Sequence, residues 1–307
     1  MKKYLFKAGK NIYKTNLHCH TTVSDGHRTP QEIKDMYKAA GYSVVAFTDH
    51  DKLVNHSYLN DDSFLAVSGC ELGLNQVIPG VPFKKTKLYH FNLYATNPSM
   101  ETTPPPLKMD YSDKDAINRY ISDRVSEGFL VCYNHPYWST NIYEDYAPLR
   151  GCFAMEIYNH NCELGDGYYG YNPQVYDEML RTGNNIFCVA TDDNHNWQHD
   201  SFGGFVMVNA DSLSYGNIIN GLKQGDFYAS QGPEIYEIAI EGKKLTVKCS
   251  EVDIIVVYTD GRKSHYARAE GMEGAEFELD GDEKYIRVMC RDRHKKDACS
   301  IAYWGVV

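Results

Sequence analysis

An alternation constrains this chain more than anything else in it. Continuous apolar runs at 44–47, 64–67, 129–133, 153–158 and 186–190 are separated by segments with helical spacing. Runs this short, interrupted only by Glu156 in 153–158, suit strands buried on both faces, with helices covering those faces. The order points to an α/β architecture. The helix signals are explicit. In Thr29-Pro30-Gln31-Glu32 a capping threonine precedes proline at the first helical position, and Glu32 is placed to close a capping box. Ile33, Met36, Tyr37 and Ala40 keep helical spacing and Gly41 supplies a stop. Further helices are expected over 112–128, 173–183 and 214–225. The proline-rich stretch 97–107 reads as an irregular loop.

The alternation ends near Gly232-Pro233. The segments 235–240, 245–249, 254–258, 275–279, 285–290 and 300–304 are strand-like, with turns at Glu241-Gly242, Asp260-Gly261 and Asp280-Gly281. No helical period intervenes. This predicts a first domain over 1–232 and a small antiparallel β-sandwich domain over 233–307. The second segment carries no chemical motif. A structural role is its default, beside a lid, an oligomer contact or a carbohydrate-binding module.

Charge and cysteine usage narrow the partners. Thirty-one basic against 41 acidic side chains leave a net charge of −10, which weighs against binding bulk duplex nucleic acid. Nine scattered cysteines with no CxxC pair read as reduced thiols, so a cytoplasmic location is expected. No apolar run approaches the roughly 18 residues of a membrane span, and no membrane partner is expected.

Of 12 histidines, ten precede residue 200. They recur at the ends of the predicted strands, with carboxylates: His18-Cys19-His20 with Asp25 beyond, Asp49-His50-Asp51, Cys70-Glu71, His90, Asn134-His135, Glu156 to His160, and Asp192-Asp193-Asn194-His195. In parallel α/β folds the carboxyl ends of the strands share one rim, where sites are built. A lone strand-end histidine is more often a packing residue; the shared position of the set argues for a polynuclear metal centre. Mixed imidazole and carboxylate ligands suit Zn, Mn or Fe better than Mg or Ca. On an extended strand both imidazoles of H-x-H point the same way.

Leu17-His18-Cys19-His20-Thr21-Thr22, Ser24-Asp25-Gly26, Phe47-Thr48-Asp49-His50-Asp51, Gly69-Cys70-Glu71, His90, Asn134-His135-Pro136 and Asp193-Asn194-His195 together resemble the PHP family, the polymerase and histidinol phosphatase metal-dependent phosphoesterases. The resemblance covers about residues 13–230. It implies a distorted (β/α)7 TIM-like barrel and a trinuclear centre. One ion would take His18, His20, Glu71 and Asp193. A second would share Glu71 and take His90 and His135. A third would take Asp25, His50 and His195, with Asp25 standing where some family members have histidine. Asp192 competes with Asp193, and the D-x-H spacing favours Asp193.

The implied activity is hydrolysis of a phosphoester, in a small-molecule or nucleotide phosphatase or phosphodiesterase, by a hydroxide held between two ions. The ions would make the site locally positive in an acidic protein and so attract a small phosphorylated substrate. His160 is a candidate proton donor or an exposed loop histidine. Arg28 and Arg150 are candidates for holding a second phosphate, against the reading of solvated surface arginines. Tyr137, Trp138, Tyr143 and Tyr146, with Tyr168, Tyr169 and Tyr171, offer ring-stacking faces or form a satellite hydrophobic cluster. The competing functions are an amidohydrolase-like C–N hydrolase on the same metal site, a nuclease of short oligonucleotides, and a non-catalytic metal- or ligand-binding module.

Overall fold

The helix signals become helices where they were expected. In the computed structural model, which describes residues 1–165, 167–197 and 199–306, the elements begin with β1 (Lys3–Lys7), β2 (Ile12–Asn16) and α1 (Pro30–Ala39). Thr29 caps α1 in a complete capping box with Glu32, and Ile33 and Tyr37 are its buried face. There follow β3 (Val44–Phe47), β4 (Leu65–Asn75), β5 (Leu88–Ala95), α2 (Lys114–Ser126), β6 (Phe129–Tyr133) and the single turn α3 (Tyr143–Tyr146). Next come β7 (Ala154–Asn159), α4 (His160–Leu164), α5 (Pro173–Arg181), β8 (Phe187–Thr191), β9 (Phe205–Asn209), α6 (Tyr215–Gln224) and β10 (Phe227–Ser230). The remainder is strands: β11 (Ile235–Glu241), β12 (Lys244–Thr259), β13 (His265–Glu278), β14 (Tyr285–Arg291), β15 (Asp297–Ser300) and β16 (Tyr303–Trp304).

Hydrogen bonds join these strands into one path, β1-β11-β12-β14-β15-β10-β9-β2-β3-β4-β5-β6-β7-β8, with β13 on β12 and β16 on β14. The fold is therefore a mixed α/β structure around a large sheet. Pairs β2–β3, β3–β4, β6–β7 and β7–β8 are parallel. Beyond the ends of β2 and β8, Cys19 bridges Asn194 in parallel. The amide of His20 donates to the Asn194 carbonyl at 3.0 Å and that of Asp193 to the His18 carbonyl at 2.9 Å. The last strand of the path thus returns to the second.

The structure differs from the sequence expectation in several places. Strand β5 runs antiparallel to both neighbours, so the first-half sheet is not wholly parallel. The segments expected as separate strands at 245–249 and 254–258 form the single bent β12, whose register to β13 shifts between 248 and 254. Terminal strand β1 also pairs with β11, four-fifths of the chain away. One buried cluster holds Val44, Phe91 and Ile157 together with Ile238, Ile255 and Val288. A smaller one lies under α1, around Ile33, Tyr37, Phe47 and Phe64. All nine cysteines are buried, and none is in a disulfide among the described residues. Among the described residues no helix is long and apolar enough to cross a membrane.

Candidate metal centre

The site begins two residues past β2, at His18. Leu17 and Cys19 are fully buried in the core, and strand alternation turns His18 and His20 to the opposite side. Their Nε2 atoms lie 3.1 Å apart. Glu71 comes from the middle of β4. Its Oε2 is 3.4 Å from both His18 Nε2 and His20 Nε2. Asp193, just past β8, places Oδ1 3.1 Å from His18 Nε2 and 3.2 Å from His20 Nε2. A tetrahedral ion with bonds of about 2.0–2.1 Å has ligand–ligand edges of about 3.3 Å, so these four atoms have the spacing of a cation's ligand shell. Asp193 Oδ1 and His20 Nδ1 are buried without a hydrogen-bond partner. Buried polar atoms are rarely left unpaired, and a cation answers the orphaned carboxylate oxygen.

Two further groups adjoin this one. Glu71 turns its other oxygen, Oε1, to His90 Nδ1 at 2.9 Å and His135 Nε2 at 3.3 Å. Asp25 Oδ2 lies 3.6 Å from both His50 Nε2 and His195 Nε2, and His20 faces this group too. All nine residues expected as ligands therefore gather into three adjoining groups. His90 reaches them for a reason the sequence concealed. It lies near the start of β5, and because β5 is antiparallel, its start sits at the rim where the parallel strands end.

Neighbouring polar groups fix the orientations. Glu156 Oε1 accepts from His18 Nδ1 at 2.7 Å and from the Thr191 hydroxyl at 2.7 Å, and Oε2 accepts from the His135 amide at 2.9 Å. Ser139 Oγ is 3.1 Å from His135 Nδ1. Asn134 donates to Glu71 Oε1 at 2.8 Å and Asn159 to Asp193 Oδ2 at 3.0 Å. Partners of this kind set the tautomer and aim of metal-binding histidines. Asp49 accepts from the amides and hydroxyls of Thr21 and Ser24, which pins the loop that carries Asp25. Asp192 turns away from the cluster: Tyr37 and the amides of Phe202, Gly203 and Gly204 surround its carboxylate. Thr21, Ser24, Asp49 and Asn134 lie inside the motifs of the sequence, and Glu156 and Asn159 in its strand-end set, whereas Ser139 and Thr191 carried no signal. The strand-end position of Glu156 marked it as a possible ligand, not as the residue that orients His18.

The electrostatics follow from burial among opposite charges. Burial works against the charged form of Glu71, yet His90, His18 and His50 hold its carboxyl well below the usual range. Asp193 is likewise depressed against its burial, chiefly by His18 and His20. His195 rises to about 9: burial opposes this, but Asp25 and Asp193 outweigh it. Burial lifts Asp192 to about 6 despite its hydrogen bonds.

Backbone strain concentrates here. Of the eight described non-glycine residues with positive φ, His135 and Asp193 are in the cluster, and Asp51, Thr140, Tyr168, Asn196 and Phe202 lie in the loops around it. Such conformations persist where the surroundings over-determine them, commonly at functional sites.

The groups open into a cavity of about 670 Å³ walled by His27, Trp138, Leu164, Trp197, His199 and Asp200. The other residues singled out in the sequence lie elsewhere. His160 does not line the cavity; its Nδ1 meets the Tyr158 hydroxyl at 2.8 Å, and a Cβ on Gly203 would sit 2.0 Å from its ring. Arg28 pairs with Glu32 on the surface. Arg150 donates to the Ala147 and Leu149 carbonyls. Neither arginine lines the cavity. Tyr137 lines a separate neighbouring cavity. His27 and His199 are cavity residues that the motifs did not mark.

No family model and no curated protein matches this chain. Solved structures do. A two-domain protein from Bacteroides vulgatus, containing a predicted PHP-like metal-dependent phosphoesterase, aligns with a TM-score of 0.51 at 16% identity, over 98% of this chain and 97% of its own. A candidate metal-dependent phosphoesterase from Bifidobacterium adolescentis aligns with a TM-score of 0.37 at 15% identity, over 59% of this chain and 87% of its own. An amidohydrolase from Chromobacterium violaceum, with bound sulfate and no metal, gives 0.39 at 13% identity over the same shares, 59% and 87%. The first of these shows a shared fold along nearly the whole chain.

Proposed function

We propose that this chain is a metal-dependent phosphoesterase that hydrolyses a small-molecule or nucleotide phosphoester at a centre of two or three divalent ions, Zn, Mn or Fe. The observation that carries the reading is the tetrad of His18, His20, Glu71 and Asp193, whose two imidazole Nε2 atoms lie 3.1–3.4 Å from each other and from the two carboxylate oxygens, with Asp193 Oδ1 left without a hydrogen-bond partner. His90 and His135 with Glu71 would hold a second ion, and Asp25, His50 and His195 a third. Bound divalent ions supply Lewis-acid stabilisation of phosphoryl charge and an activated water. The protein groups do the rest. Glu156 and Ser139 hold His18 and His135 in their ligating tautomers. Asn134 and Asn159 keep the Glu71 and Asp193 oxygens aimed inward.

Among the described residues lining the cavity there is no lysine or arginine. Attraction for a phosphate therefore rests on the ions. In this reading β2 to β8 form the distorted seven-stranded barrel, closed by the Cys19–Asn194 bridge, within a domain over 1–232. Residues 233–307 form the sandwich-like second domain. A small phosphorylated substrate and a cytoplasmic location accompany it.

The test is phosphate release from a panel of phosphate mono- and diesters by Mn- and Zn-loaded protein. Activity is expected with metal, to be lost on chelation, and to fall at least about a thousandfold in His18→Ala. Silence across the panel with the metal content confirmed, or amine release from C–N substrates instead, would overturn the reading.

A further inference from the structure

A second cavity, of about 500 Å³, lies beside the metal cavity and is walled by Tyr137, Trp138, Thr140, Asn141, Ile142 and Tyr169. Trp138 lines both. Its ring stands edge-on to the ring of His135, with centroids 5.0 Å apart at 81°. His135 belongs to the group around Glu71. A molecule held at that group can thus reach the second cavity past a single ring.

The second cavity has a rigid floor and an apolar wall. Asn141 is buried beneath it, donating to the Leu88 carbonyl and the Tyr111 hydroxyl at 2.8 Å each and accepting from Tyr133 at 2.5 Å. Its amide also donates to the Pro136 carbonyl, and the amide of Thr140 to the Tyr137 carbonyl. Thr140 itself has φ of +56°, costly for a β-branched residue and so imposed by the surroundings. Above this floor Tyr137 and Tyr169 meet edge to face at 5.0 Å and 77°. They remain 54% and 41% exposed, and Ile142 49%. Aromatic faces brought together from two loops but left open to solvent are arranged to receive a ring.

We infer that this second cavity is the leaving-group subsite, and that the substrate is a phosphate ester whose alcohol carries a flat apolar ring a few bonds from phosphorus. The inference rests on the phosphoesterase reading. The two cavities divide the work by chemistry: the metal groups take the charged phosphate, and the second cavity, which has no cationic side chain among its described lining residues, takes an uncharged ring. Stacking on aromatic side chains is worth about tenfold to hundredfold in binding per ring.

The test compares benzyl, cyclohexylmethyl and ethyl phosphates, whose leaving alcohols are similarly reactive, with metal-loaded protein. Benzyl phosphate should have a KM about tenfold or more below the other two. A Tyr137→Ala/Tyr169→Ala variant, with its metal content and thermal melt checked, should bring the three KM values together. Equal KM values in the unsubstituted protein would overturn the subsite. Binding of benzylphosphonate and ethylphosphonate, read by tryptophan fluorescence, provides an arm that needs no turnover. If no ester is hydrolysed, the phosphoesterase reading fails. The ring subsite then stands only if benzylphosphonate still binds about tenfold tighter than ethylphosphonate and loses that margin in the double variant.

Discussion

At the residue scale the decisive feature is how few groups do how much. Glu71 serves two ligand groups with its two oxygens, and Glu156, in none of them, connects to two of their histidines. Removing the charge of such an orienting carboxylate loosens metal binding without deleting a ligand. Glu156→Gln is expected to weaken metal affinity about 10- to 100-fold, seen as a higher metal concentration for half-maximal activity and largely restored by excess metal. Activity that excess metal leaves unrestored would point to a different role. His56 offers a test away from the site. It packs beside Phe47 with Nε2 unpaired, and burial holds its pKa below the ordinary value. A folded-state pKa below the unfolded value of about 6.5 gives a contribution that is complete above that value and lost as pH falls through the folded one. Stability should therefore decline on acidification below about pH 6.5, and His56→Leu should flatten that decline. Urea midpoints across this range check it.

At the scale of elements, position on a strand or loop matters more than residue type. The loop after β2 carries Asp25 because Asp49 anchors it, and Gly26 allows it to close: a Cβ there would stand 2.4 Å from the His20 carbonyl oxygen. Gly26→Ala is expected to displace Asp25 and remove one metal equivalent while the other sites stay filled, as metal analysis of the purified variant would show. Retention of the full complement would separate Asp25 from metal binding. The elements also mark the limit of reading by pattern. Helix α1 was legible because capping box, proline and apolar spacing are all local. Strand β5 had no legible direction, since a strand's direction depends on its partners. Strand β13 was half missed: its exposed, polar edge carries little of the apolar pattern that marks a strand.

At the scale of the whole molecule, the last quarter of the chain is built into the rest. Strand β10 pairs with both β9 and β15, and β1 with β11, so hydrogen bonds cross the expected boundary in both directions. Arg287 on β14, 1% exposed, makes a two-pronged pair with Asp177 on α5 at 2.6 and 2.8 Å and stacks 4.0 Å from the Tyr258 ring. Breaking a buried pair leaves its partner uncompensated. Arg287→Ala should therefore destabilise the protein by about 3–5 kcal/mol, measured by urea unfolding. A cost below about 1 kcal/mol would mean that the two parts are held by their apolar contact alone.

The sequence by itself determined the α/β alternation and the change to strands after residue 232, because periodicity and capping are local properties of the chain, and the resemblance of its motifs pointed to the nine side chains that come together. It marked Arg28, Arg150 and His160 by the same local logic, and the structure places all three off the cavity wall. Only the tertiary structure decided how His90 reaches the rim, what the Asp192 carboxylate binds in place of a metal group, and that Glu156, His27 and Trp138 belong to the site. Those outcomes depend on strand direction, on the handedness of a single backbone residue and on contacts between segments far apart in the chain, none of which a linear pattern encodes.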